Sequence, residues 1–351
     1  MFTVIFNILL FVLILGSIVL VHEFGHFIFA KMAGVYVYEF AIGMGPVLWK
    51  KKGKETEYSI RAIPIGGFCA MAGEDVEADD ENNIPKGKRL QDKNAWQRFL
   101  IMFFGAGNNF IYAILLLFFV ALIWGGTTMK PVITGVVEDG AAYKAGIVAG
   151  DRVLEINDHK ISTSDDLSLY LALADPTKKN EFVVEKTNGK VEVYQIKPQK
   201  KKVDGETSYV YGIEIKQEKT HGFVNALSYM YNKTVSMFKQ MYITLAHLFT
   251  GGVKLNQLSG PVGIYSVVGE QSKAGIASLL YLTAFLSINV GVINLLPFPA
   301  FDGCHILFII IEKLKGSPVK PEIQNKLSTI GLALLMILML VVTISDIIKL
   351  F

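Results

Sequence analysis

Hydrophobic positions along the chain gather into four long runs, at about residues 2–31, 97–125, 275–312 and 327–350. Roughly 20 apolar residues of helix cross a bilayer core, so each run predicts a transmembrane helix. Pro297 and Pro299 interrupt the third run, which predicts a broken span. Between the first two runs the pattern changes. Val35–Ile42 and Glu57–Ile63 are β-prone, and Gly43, Gly45, Pro46, Pro64, Gly66 and Gly67 punctuate them, as expected of hairpins. These either form a small cytosolic sheet or dip back toward the membrane, where an open edge could pair with an unwound peptide. Asp75–Lys93, acidic and then basic, reads as a mobile linker. Residues 127–217 are water-soluble in character, with short strands such as Val132–Val137, Arg152–Ile156, Glu181–Glu185 and Val191–Ile196. Phe223–Thr250 is helical in pattern, but Tyr229, Lys233, Lys239 and His247 interrupt it, which suits a helix lying on the outer membrane surface.

Composition agrees with this layout. Of 351 residues, 52% are hydrophobic, too many for an ordinary soluble protein. A net charge of +3, with scattered lysines, gives no footprint for nucleic acid. Two cysteines, Cys69 and Cys304, exclude a disulfide-built fold. The first run is longer than a signal-peptide core, has no basic residue before it and no small-residue cleavage site after it, so it reads as a retained helix. Lys50, Lys51, Lys52, Lys54, Arg61, Lys86, Lys88, Arg89 and Lys93 lie between the first two runs, and Lys313, Lys315, Lys320 and Lys326 between the last two. By the positive-inside rule both loops face the cytosol. The termini and residues 126–274 then face outward, across a cytoplasmic (inner) membrane.

The chemistry sits at the inner end of the first run, in His22-Glu23-Phe24-Gly25-His26. Residues four apart share a helical face, so His22 and His26 can offer two imidazoles to one zinc ion, with Glu23 beside any water there as general base. Three ionisable groups at the end of a charge-free span are costly unless they have a task. A catalytic zinc needs a third protein ligand. The broken third run offers Asp302 in Asn294-Leu295-Leu296-Pro297-Phe298-Pro299-Ala300-Phe301-Asp302-Gly303-Cys304-His305, because a carboxylate at membrane depth requires a counter-charge. Cys304 and His305 are weaker alternatives. His159, His221 and His247 have no ligand partner nearby in sequence. In the second run, Gly105-Ala106-Gly107-Asn108-Asn109 combines small residues for close helix approach with two amides that need partners.

Glu138–Asn157 resembles the signature stretch of PDZ domains of the bacterial protease-associated type. Together with His22–His26, Arg61–Phe68, Leu258-Ser259-Gly260-Pro261 and Asn294–Gly303, the chain resembles the site-2 protease family of intramembrane zinc proteases, in its RseP/RasP-type branch, over nearly its whole length. The resemblance implies that His22, His26 and Asp302 coordinate Zn2+ and that Glu23 is the catalytic base. It also implies a membrane re-entrant β-loop within 34–74 and substrate near Asn294, with Asn109, Pro297 and Pro299 as further substrate-binding candidates. Two departures stand out: Gly105–Asn109 lacks the family's proline, and Cys304 stands where the family has a second glycine after Asp302.

The expected architecture is an α-helical polytopic membrane protein with four transmembrane helices, a re-entrant β-hairpin loop and an inserted α+β PDZ domain. Its parts are helix 1 (1–33), cytosolic-side β-loop and linker (34–95), helix 2 (96–126), PDZ domain (127–217), surface helix and connector (218–274), broken helix 3 (275–313) and helix 4 (314–351). The expected activity is zinc-dependent cleavage within transmembrane segments of proteins already shortened by a site-1-type protease. By resemblance these substrates are anti-sigma factors or signal-peptide remnants, held in membrane lipid. Two other readings remain: a zinc-containing scaffold, for which Glu23 would be dispensable, and a metal transporter, which leaves the peptide-binding module unexplained.

Overall fold

The computed structural model describes residues 2–74, 84–203, 206–250 and 259–349. The chain forms two compact units, Met1–Leu116 with Thr244–Phe351, and Leu117–Ile243.

In the first unit, helix α1 runs over Phe2–Met32 and stops where Gly34 adopts a left-handed φ of 71°, a conformation glycine takes without steric cost. Strands β1 (Val37–Lys52) and β2 (Glu57–Met71) follow. Their pairing folds each strand into two arms. Val37 and Phe40 face Met71 and Cys69, Glu39–Ile42 lies alongside Glu57–Ile60, and Trp49–Lys52 runs against Ile60–Glu57. The result is a four-armed sheet in which 67–71 and 47–52 are edges. The predicted linker over Asp75–Lys93 lies partly outside the described residues. Its last part is packed: Leu90 is buried and its N–H donates to the carbonyl of Ala72.

Helix α2 covers Ala95–Trp124 without a break, so the missing proline leaves that span continuous. At its start Arg98 pairs with Glu312 at 2.6 Å. The connector expected after the surface helix contains another helix, which corrects the sequence reading. Here α6 is Pro261–Ala274, with Gly260 as N-cap and Pro261 in the first turn. The third apolar run is two helices, α7 (Ile276–Asn294) and α8 (Asp302–Lys315), and α9 spans Pro321–Ile348. Among the described residues, Thr3–Met32, Ala95–Trp124, Ile276–Asn294 and Glu322–Ile348 are long and apolar enough to cross a membrane.

The second unit includes short strands β3 (Gly126–Thr127) and β4 (Gly135–Val136), helix α3 (Ala141–Ala145), β5 (Arg152–Ile156), β6 (His159–Lys160) and α4 (Ser164–Leu173). Then come β7 (Asn180–Glu185), β8 (Val191–Ile196), β9 (Gln199–Val203), β10 (Glu206–Val210), β11 (Ile213–Glu214), β12 (Lys219–Thr220) and α5 (Phe223–Phe249). Four strands form one sheet in the order β6-β5-β7-β8, over a core of Ile133, Ile147, Val153, Ile156, Leu167, Phe182 and Val184. The strand expected over Val132–Val137 is shorter, reduced to a bridge at Val132 and the two residues of β4. The polar side of α5 is engaged with protein: Lys233 and Ser236 bond Asp165 at 2.6 and 2.9 Å, and Lys239 reaches Asp166 at 2.9 Å. Phe223, Leu227, Tyr231 and Tyr242 on the same helix remain exposed.

Candidate metal centre

His22 and His26 sit one helical turn apart on α1, both buried. Two glycines bring α2 against this turn. A Cβ on Gly25 would lie 1.9 Å from the carbonyl oxygen of Phe104, and one on Gly105 would overlap the His26 ring. At Gly25 only backbone-to-backbone approach fits, and at Gly105 only bare backbone fits against the imidazole. This closeness lets the Nδ1–H of His26 donate to the carbonyl of Ile101 at 2.9 Å, which in a neutral ring leaves Nε2 as a bare lone pair.

The third group comes from the break between α7 and α8. Pro297 and Pro299 interrupt the helical ladder, Ala300 takes a φ of 88°, and the helix restarts at Asp302. A Cβ on Gly303 would lie 2.3 Å from the carbonyls of Leu295 and Leu296, so this hairpin of helices closes only around glycine. Asp302 thereby stands in the first turn of α8, where the exposed N–H groups favour a carboxylate.

His22 Nε2 and His26 Nε2 are 3.2 Å apart, and Asp302 Oδ2 lies 3.3 Å and 3.4 Å from them. That oxygen is buried with no hydrogen-bond partner. Three electron-rich atoms facing one another this closely repel unless a cation lies between them. Ligand atoms about 2.0–2.1 Å from a tetrahedral zinc stand roughly 3.3 Å from each other, so the donor set fits that ion. Among the described residues, the grouping able to hold a metal is His22, His26 and Asp302; it leaves out Cys304 and His305.

Glu23 is next to the pair, half-buried. The last arm of β2 comes close to it: a Cβ on Gly67 would lie 3.7 Å from Glu23 Cγ. Asn109 is fully buried, with its amide 3.4 Å from His22 Nδ1 and its Oδ1 unpartnered. Turning that amide by half a rotation would set Oδ1 on Nδ1–H and satisfy both groups, leaving His22 Nε2 as a lone pair. Asn294 ends α7, while Pro297 and Pro299 lie on the turn before Asp302. The supporting contacts from Ile101, Gly105 and Gly67 are not legible as such in the sequence. The small residues at 105–107 signalled close packing, but nothing local identified what they pack against.

The chain matches the family model of Peptidase family M50 over residues 10–338. It is 32% identical over 420 residues to the zinc metalloprotease RasP of Bacillus licheniformis, covering 98% of this chain and 99% of that one. It is also 32% identical over 424 residues to the regulator of sigma-W protease RasP of Bacillus subtilis, with the same coverage.

Proposed function

The chain belongs to peptidase family M50, the site-2 proteases, and we propose that it cuts transmembrane segments of shortened membrane proteins, with His22, His26 and Asp302 holding its zinc. It is a zinc metalloendopeptidase of the site-2 type. The observation that carries the residue assignment is the triangle of three lone-pair atoms, 3.2–3.4 Å on a side, beside Glu23. The scaffold and transporter readings give way to this one.

Bound zinc would polarise the scissile carbonyl and make a nearby water acidic enough to attack it. Glu23 takes the proton from that water and returns it to the leaving amine. A helical segment hides its carbonyls in its own hydrogen bonds, so it must unwind before the attack. The nearness of the 67–71 edge to Glu23 supports pairing of that edge with such a strand, and Asn294, Pro297 and Pro299 border the turn that brings Asp302. Asn109, given its buried place against His22, holds the imidazole.

The lysine distribution supports a site near the cytosolic face of the cytoplasmic membrane, with both termini and residues 127–217 outside. The contact of the Pro64 carbonyl with Gly16, where a Cβ would lie 3.3 Å away, supports a loop re-entering alongside α1. In the outer unit, the four-stranded sheet and its flanking helix α4 suit a PDZ-type peptide binder, which would favour the stubs left by an upstream site-1-type protease. The exposed apolar side of α5 suits contact with lipid. Anti-sigma factors and signal-peptide remnants are the proposed substrates, in keeping with the sigma-W role in the name of the B. subtilis relative.

The test is cleavage of a tagged single-span stub by purified protein, with bound zinc measured in parallel. Parent protein should cut within the span and stop on chelation. Glu23→Gln should keep its zinc and lose activity by a factor of at least about 100. A Glu23→Gln protein that cuts like the parent would overturn the assignment.

A further inference from the structure

Among the described residues, a buried carboxylate in a membrane helix lies outside the metal centre. Asp346, near the end of α9, is 4% exposed. Its Oδ2 accepts the N–H of Gly260 at 2.7 Å and of Gly263 at 2.8 Å, and Lys349 is 3.4 Å from Oδ1. Gly260 is the N-cap of α6 and has no side chain with which to cap it. A carboxylate 86 residues away in sequence therefore satisfies the free N–H groups at the positive end of α6.

Helix α6 is in turn fastened to α1, which carries both histidines. Val268 is buried with Ile14 and Ile18, Tyr265 meets Phe11 edge-on at 6.2 Å, and Ser272 Oγ donates to Asn7 Oδ1 at 3.4 Å. Toward its other end, α9 presses on the turn that delivers Asp302, where a Cβ on Gly331 would lie 2.1 Å from the Pro299 carbonyl oxygen. Between these points α9 exposes Leu332, Leu334, Met336, Ile337 and Leu340. Apolar surface gains little by leaving lipid for protein, so close backbone contacts and hydrogen bonds decide where such a helix sits. The two contacts are 15 residues, about 22 Å, apart on one rigid helix.

We propose that Asp346 is a positioning residue for the metal site: by latching α9 to α6, and so to α1, it sets where Gly331 meets Pro299 and hence where Asp302 stands relative to His22 and His26. This rests on the zinc assignment to those three residues.

The test uses full-length protein in detergent, with Asp346→Ala, Asp346→Asn and Gly263→Ala. Zinc affinity is read by chelator competition, and hydrogen exchange over 295–303 is followed in metal-free protein. Asp346→Ala should bind zinc about tenfold more weakly, within the range of outer-sphere substitutions. Exchange in the turn should accelerate, while exchange in β5, β7 and β8 should not change. Asp346→Asn should lose less, since its amide oxygen still accepts both N–H groups. Gly263→Ala, whose Cβ would lie 3.0 Å from Asp346 Oδ2, should loosen the latch mildly and serves if Asp346→Ala fails to fold. Variants that lose thermal stability while keeping parental zinc affinity and parental exchange in the turn would overturn the latch alone. Parent protein whose zinc affinity is indifferent to His22→Ala would overturn the metal assignment, and the latch with it.

Discussion

A Cβ on Gly105 would stand 2.2 Å from Nε2 of His26, the nitrogen that faces Asp302. The helix crossing and the imidazole thus occupy the space that any other residue at 105 would need. Gly105→Ala should displace the ring from the Ile101 carbonyl and lower zinc affinity by roughly 10–100-fold, with helix content unchanged by circular dichroism. Gly107→Ala is the control, since its Cβ would meet phenylalanine ring atoms no closer than 3.1 Å. Equal zinc affinity in the two variants would show that His26 has room the structure denies it.

The Asn109 amide lies on the far nitrogen of His22. Asn109→Ala leaves that nitrogen without its partner, and zinc affinity should fall about 10–100-fold. A fall in cleavage rate with zinc affinity intact would instead assign Asn109 to the substrate alone.

Ala300 holds a left-handed φ of 88° in the turn before Asp302. An L side chain at such an angle costs on the order of 1 kcal/mol, which glycine relieves in part. Ala300→Gly should therefore raise thermal stability in detergent or leave it equal, with zinc retained. A marked drop would mean that the alanine methyl is needed for packing.

Outside the spans, the loop between β1 and β2 carries Glu55, which is held by Lys31 and also by Lys88 at 2.7 Å. The hydrogen bond from Lys31 first, then that from Lys88, holds its carboxyl below the ordinary value of 4.5. A depressed folded-state value means stabilisation that is complete above the unfolded value and lost as pH falls through the folded one. Melting temperature should thus drop more steeply on acidification below about pH 4.5 in the parent than in Glu55→Gln. Identical acid limbs would show that the two lysines do not hold this carboxylate.

Sequence spacing alone exposed much of the site. His22 and His26 lie four apart on one helix, so local geometry dictates that they share a face wherever the helix goes. Asp302 was legible for another reason: a carboxylate following two prolines inside an apolar run has few ways to be tolerated. Helix α6 was missed although Gly260, Pro261 and Gly275 mark its ends, because its apolar face is weak and shared between α1 and α7. The packing of Leu90 is not legible because its short stretch is surrounded by charge. The hairpins were legible from alternation and glycines, but not that each strand folds into two arms, which depends on pairings set by distant register.

What the amino-acid order determined by itself is whatever depends on neighbours within a turn or a span: four membrane-length helices, the break at Pro297 and Pro299, and the shared helical face of His22 and His26 with Glu23 beside them. What only the tertiary structure decided is which backbone groups meet these residues. The Ile101 carbonyl fixes the His26 tautomer from 75 residues away, the backbone at Gly67 closes on Glu23 from a strand, and Asp346 caps a helix 86 residues earlier. Backbone N–H and C=O groups are the same at every position, so no residue type announces them; chain packing alone selects which of them arrives.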